Sequence, residues 1–300
     1  MSTVSTSPPA SKFTAYAALM RVDRPVGTLL LLWPTLGALW AASGAIPSPL
    51  LLAVFIAGTF FMRSAGCVAN DMADRDFDPH VARTQNRPLA TGALSLGEAG
   101  LALVVLLLLS AAMLLFLNNL TRMFALGGLL IALSYPFFKR FTYLPQVPLG
   151  AAFSWGLLMA YSAVQAAVPA EAWLLFIGSV FWIVAYDTQY AMADREDDLR
   201  IGVRSTAILF GNGDRFAIAI LQLASLACLL LYGQRAGFAL FYYLGLGAMA
   251  LLFIYQQRVI RKRDRTACFN AFKNNVWAGF ALFLGIAFDV QFAPLIVAAE

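Results

Sequence analysis

The chain has 300 residues, of which 61% are hydrophobic and only 12% charged, with a formal net charge of +5; a soluble domain carries about 25% charged residues. This composition excludes a soluble globular protein, and at about 20 apolar residues per span it holds about eight to ten transmembrane helices with little left for a soluble domain. Nucleic acid is not an expected partner; the lipid bilayer is.

Taken in chain order, residues 1–27 read as a cytoplasmic segment. Met1 to Ser11 are rich in Ser, Thr and Pro and lack Arg, so neither a signal peptide nor a transit peptide is indicated. Apolar runs of spanning length follow at 28–45, 49–69, 96–117, 123–138, 147–168, 173–190, 216–232, 238–255 and 276–298. Backbone polar groups cannot stay unpaired in lipid, and these runs are too continuous for barrel strands. Residues 28–300 are therefore expected to form one all-α membrane domain, a bundle of about nine transmembrane helices. Lys and Arg collect in alternate loops, with only Arg122 and Arg235 in the others. That asymmetry predicts a cytoplasmic N-terminus and an external C-terminus, and a bacterial inner membrane is the simplest address.

A helix ending in an acid cluster, followed by a basic loop, occurs after the second run and again after the sixth. A duplicated four-helix unit with a ninth helix added would produce this pattern. The three cysteines, Cys67, Cys228 and Cys268, lie far apart in or beside apolar runs, which suggests packing rather than disulfides or zinc. His80 sits in a polar loop and is given no catalytic role.

The first cluster is Asn70-Asp71-x-x-Asp74-x-x-x-Asp78. If the helix continues, the three carboxylates fall within about 60° of one another. Asp187, Asp194 and Asp198 fall within about 40° on a second helix, while Glu196 and Asp197 point elsewhere. Acids on one helical face repel one another, and near a membrane their desolvation adds to the cost, so something positive should occupy each stripe. Magnesium is usually held by one or two carboxylates together with substrate phosphates; two facing stripes would bind a diphosphate through bridging magnesium ions. The alternative is a solvated acidic face paired with Arg75, Arg83 and Arg195. Arg83, Arg87, Arg200 and Arg204 flank the clusters and can donate to phosphate oxygens, or simply satisfy membrane topology. Arg63 lies inside the second run, about 10.5 Å below Asn70 and on the same face. Its expected partner is a substrate phosphate or carboxylate, or one of the aspartates, with a purely structural ion pair as the alternative.

From about Arg21 to Asp289 the chain resembles the UbiA superfamily of membrane prenyltransferases. The resemblance rests on the intact acid motif at Asn70, Asp71, Asp74 and Asp78, and on Asp194-x-x-x-Asp198 after Tyr186-Asp187-Thr188-Gln189-Tyr190. Arg24-Pro25-Val26-Gly27-Thr28, Trp33-Pro34-Thr35, Asn86-Arg87-Pro88-Leu89 and Tyr135-Pro136-Phe137-Phe138-Lys139-Arg140 are similar to the bacterial branch that prenylates 4-hydroxybenzoate for ubiquinone. The resemblance implies transfer of an all-trans polyprenyl group from polyprenyl diphosphate to the ring carbon ortho to the phenol. It also implies magnesium held by the acids, Arg140 holding the acceptor carboxylate, and one acid, with Asp194 as candidate, serving as base. Other UbiA-type acceptors, haem or a naphthoate, and a cation-coupled transporter are the alternatives.

Overall fold

A computed structural model describes residues 11–81, 83–138 and 141–297. A short helix α1 (Lys12–Leu19) leads into α2 (Val26–Ser43), α3 (Pro49–Ala73), α4 (Leu96–Met113), α5 (Asn119–Phe138), α6 (Gln146–Gln165) and α7 (Ala170–Ile201). The five-residue α8 (Thr206–Phe210) precedes α9 (Asp214–Ala236), α10 (Leu240–Val259) and α11 (Arg265–Val297). Among the described residues, eight helices are long and apolar enough to cross a membrane. With α5, which coincides with the run at 123–138, they match the nine expected spans. The protein is a polytopic, all-helical membrane protein.

Local chemistry sets the helix ends. Ser48 caps α3, accepting from the Leu51 N–H, with Pro49 as the first helical residue. Ser95 and Glu98 form a reciprocal capping box at α4. Gly44, Gly202 and Gly237 end α2, α7 and α9 in left-handed conformation. At α10 the cap is remote: the buried Asp289 of α11 accepts from the backbone N–H groups of Ala239, Phe241 and Tyr242 at 2.7, 3.1 and 3.3 Å.

Most spans pack on their neighbours in sequence, and α11 closes back on α2; α2–α6 and α7–α11 contacts cross the middle. The main core joins α2, α3, α6, α7, α9, α10 and α11. By contrast α4, with a mean hydropathy of 2.8, keeps only 11% of its apolar window buried and leaves large apolar side chains such as Leu101, Val104 and Leu108 exposed. A buried amide network ties the second half together. Gln256 of α10 accepts from Gln189 of α7 and Gln222 of α9, while Asn275 of α11 donates to Gln189 and accepts from Trp182. Each bond replaces an amide group left unpaired in an apolar interior.

The two spans that precede the acid-bearing helices end alike. α2 ends at Gly44 and α6 at Ala166, both left-handed, each followed three residues later by a proline, and the next helix in both cases is the one that carries an acid cluster. The helix expected to continue from Asp71 through Asp78 does not reach that far. α3 stops at Ala73, Asp74 becomes its cap, and Asp78 opens a 3-10 turn, Asp78–His80. Pro79 has no N–H for the Arg75 carbonyl and its ring would clash there, and acids at a helix C-terminus oppose the dipole.

Candidate active site

Both acid clusters meet at one end of the bundle around a polar cavity of about 210 Å³. Asn70, Asp74 and Asp78 line it from the α3 side. Asp187, Asp194 and Asp198 line it from α7, and Arg83, Arg87 and Arg204 complete the wall. The turn after α3 therefore achieves what a continuous helix was expected to do, returning Asp78 toward the helix it left.

Arginines already neutralise much of this charge. Arg83 reaches across from the α3–α4 loop to grip Asp194 with Nε and Nη2, the latter at 2.7 Å, and stacks over the Tyr190 ring at 4.4 Å. Arg87 donates to both Asp78 oxygens at 3.0 and 2.9 Å and lies 2.9 Å from Asp71. Burial pushes the Asp78 carboxyl above its ordinary value; the Arg87 guanidinium opposes this and the Asp71 and Asp74 charges add to it. Burial also works against the charge on Arg87, yet Asp71 and Asp78 outweigh it and hold the guanidinium more firmly protonated than usual.

Not every expected site residue lies on this cavity. Asp71 is 1% exposed and faces Arg21 and Arg87 instead. Arg200 is exposed on the last turn of α7, and Arg140 lies outside the described residues. Asp197 pairs with Arg265 at 3.1 Å and Glu196 is exposed, so both point away as expected. Of the three arginines in the solvated-face alternative, only Arg83 pairs with a cavity acid. Arg75 pairs with its neighbour Asp76, and Arg195 with the buried Asp214. Asp194, the candidate base, is occupied by Arg83. Asp187 instead shares the cavity wall with the neutral Gln146 side chain.

Arg63 belongs to a second cavity. This one, about 520 Å³ and almost wholly apolar, lies between α2, α3, α4, α5 and α6. Tyr135 lines both cavities, so they adjoin at that ring. Leu108 of α4 and Leu126 of α5 line the apolar cavity and are also more than 60% exposed, which places its mouth on the lipid-facing side. The Arg63 guanidinium packs so closely on α2 that a Cβ at Gly27 would stand 2.5 Å from Nη2. It faces the Phe153 ring at 5.6 Å, and its Nε has no hydrogen-bond partner among the described residues. Sequence reasoning placed Arg21 only in the topology and passed over Tyr135, Tyr190 and Gln146 as site residues. Tyr135 and Tyr190 stood within segments that carried the resemblance; Gln146 had no sequence signal.

Comparison with known proteins adds three findings. Residues 31–285 match the UbiA prenyltransferase family. The chain is 53% identical over 283 residues to the 4-hydroxybenzoate octaprenyltransferase of Marinobacter nauticus, covering 94% of this chain and 96% of that one. It is 55% identical over 276 residues to the protein of the same name from Edwardsiella ictaluri, covering 92% and 96%. Its fold is shared with a UbiA homologue from Aeropyrum pernix (TM-score 0.76, 24% identity, 91% of this chain and 98% of that one). It is shared too with one from Archaeoglobus fulgidus solved bound to GPP and Mg2+ (TM-score 0.72, 21% identity, 92% and 99%).

Proposed function

The chain belongs to the UbiA prenyltransferase family, and from that premise we propose that it transfers an all-trans polyprenyl group from polyprenyl diphosphate to 4-hydroxybenzoate. The bond forms at the ring carbon ortho to the hydroxyl, in ubiquinone biosynthesis. The observation that carries this reading is the pairing of a small charged cavity with a larger apolar one across Tyr135. A prenyl diphosphate has the same division, an anionic head on a hydrocarbon tail. The alternatives, a haem or naphthoate acceptor and transport, have no comparable support in the named relatives.

The donor set supports magnesium. Asn70, Asp74, Asp78, Asp194 and Asp198 offer only oxygen ligands on one cavity. Among the described residues no three acidic or other ligating side chains gather into a site of their own, which suits an ion that completes its shell with phosphate oxygens and water. Those residues would hold it, and when bound it supplies positive charge against the departing diphosphate.

The residues of the chain do the rest. Arg83, Arg87 and Arg204 donate to diphosphate oxygens as the allylic carbon–oxygen bond breaks and charge grows on the leaving group. The apolar cavity keeps water from the prenyl cation, and the Tyr135 ring at the junction presents a π-face to it. Arg63, partly buried and with an Nε unsatisfied among the described residues, takes the acceptor carboxylate and turns the phenol ring toward the junction. The attacking ring carbon forms the new carbon–carbon bond, and its proton leaves to a carboxylate. Asp187 is better placed for this than Asp194, because no guanidinium grips it. The basic loops support a cytoplasmic N-terminus, and a site opening to the cytoplasm of a bacterial inner membrane.

The test is prenyl transfer by purified protein in detergent with 4-hydroxybenzoate and a long prenyl diphosphate, with magnesium and with chelator. Prenylated 4-hydroxybenzoate formed only with magnesium is the expected result. Folded protein that prenylates another acceptor but not this one would overturn the acceptor and leave the reaction class standing.

A further inference from the structure

We propose that Asp71, although it stands in the acid motif, is a positioning residue that holds two arginines and ligates no metal. The inference rests on the reading of the polar cavity as a diphosphate site. Asp71 is 1% exposed and lies outside the cavity lining, whereas Asn70 and Asp74 on either side of it belong to that lining. Both its oxygens are engaged. Arg21 Nη2 donates to Oδ1 and Oδ2 at 2.7 and 2.8 Å, and Arg87 Nη1 stands 2.9 Å from Oδ1. A metal at Asp71 would have to displace two partly buried guanidinium partners and has no opening onto the cavity, while Asp78, bonded by Arg87, lines the open cavity.

The backbone around Arg21 fits a built contact. Arg21 joins α1 to α2 with φ +58°, one of three non-glycine residues with positive φ among the described residues, and this conformation is unfavourable for a side chain with a Cβ. The same guanidinium also donates to the Ala18 carbonyl at 2.6 Å. α1 is fastened by Ala15 and Leu19, which pack with Ala65 and Val68 of α3. Asp71 therefore links three pieces of chain: the α1–α2 turn, the end of α3, and the loop carrying Arg87. Arg87 is left with one nitrogen fixed behind the cavity, so that its guanidinium is aimed at an incoming diphosphate before one arrives. Holding a donor in place beforehand lowers the ordering cost of binding.

Three variants, Asp71→Asn, Asp78→Asn and Arg21→Gln, distinguish the roles. Two quantities are measured on each: the magnesium concentration giving half-maximal thermal stabilisation in the presence of inorganic diphosphate, and KM for prenyl diphosphate. The positioning role predicts that Asp71→Asn raises KM about tenfold with the magnesium midpoint within about twofold of the parent, while Asp78→Asn moves that midpoint about tenfold or more. Asp71→Asn shifting the magnesium midpoint as far as Asp78→Asn would make Asp71 a ligand and end the proposal; so would an unchanged KM. Arg21→Gln keeps every cavity-lining side chain and serves where Asp71→Asn does not fold. It should raise KM about threefold with no change in magnesium demand, whereas a ligand freed from Arg21 would bind magnesium more tightly. Because thermal stabilisation by magnesium and diphosphate needs no turnover, a parent protein that binds both without prenylating 4-hydroxybenzoate would sink the proposed reaction, while the magnesium midpoints of the variants would still decide whether Asp71 is a ligand.

Discussion

The two acid clusters share one cavity but are built differently. After α3 the chain breaks at Ala73 and carries Asp78 on a 3-10 turn, whereas α7 runs unbroken for 32 residues and presents Asp187, Asp194 and Asp198 along one helix. Similar acid spacing thus produced a turn in one place and a helix in the other, and the flanking residues decided which. Pro79 keeps the chain beyond Asp74 from resuming a helix through Asp78. In the second, Arg200 lies in the last turn where the dipole favours it, while Arg195–Asp214 and Asp197–Arg265 pairs clamp the extension to the rest of the bundle. The first cluster is consequently placed by a turn that loop arginines hold, and the second by its own helix, although Arg83 from a loop also grips Asp194.

That contrast can be broken at the helix most directly. Glu196→Pro, at an exposed position inside the continuous stretch, should cost about 3 kcal/mol or more. Thermal unfolding in detergent measures the loss, and a change under about 1 kcal/mol would mean that continuity of α7 does not matter. Asp214→Ala comes next. It removes a fully buried carboxylate that accepts from Arg195 and Arg263 at 2.6 and 3.0 Å, and the same assay should show a loss of about 3 kcal/mol. Since both arginines are partly exposed, water recovers some of their solvation and places this effect second. The smallest is expected at Pro79→Ala, within about 1 kcal/mol, because the turn is also held by Arg87 on Asp78 and by Thr84 donating to the Asp78 carbonyl at 2.9 Å. A large loss there would show that Pro79 supports the turn as well as keeping a helix from resuming.

The sequence made the long helices legible because each is an apolar run of spanning length, and helix-end chemistry such as Ser95 with Glu98 could be seen locally. The gathering of both clusters at one end followed from their common place after matching spans. The pairings were hidden. Arg21 meets Asp71 across 50 positions and Arg83 meets Asp194 across 111, and spacing along a helix says nothing about contacts between elements. The same limit concealed Asp214, which reads as one more loop acid until three elements close over it. Arg63 was different: an arginine inside an apolar run asks for an explanation wherever it folds.

The lipid-facing mouth marked by Leu108 and Leu126 has a kinetic consequence. A substrate whose tail enters from the bilayer side is never dissolved in the surrounding water on its way to the site, so its relevant concentration is its mole fraction in the membrane. Turnover then follows the two-dimensional crowding of the donor among other lipids, and the same quantity of donor spread through more bilayer becomes a more dilute substrate.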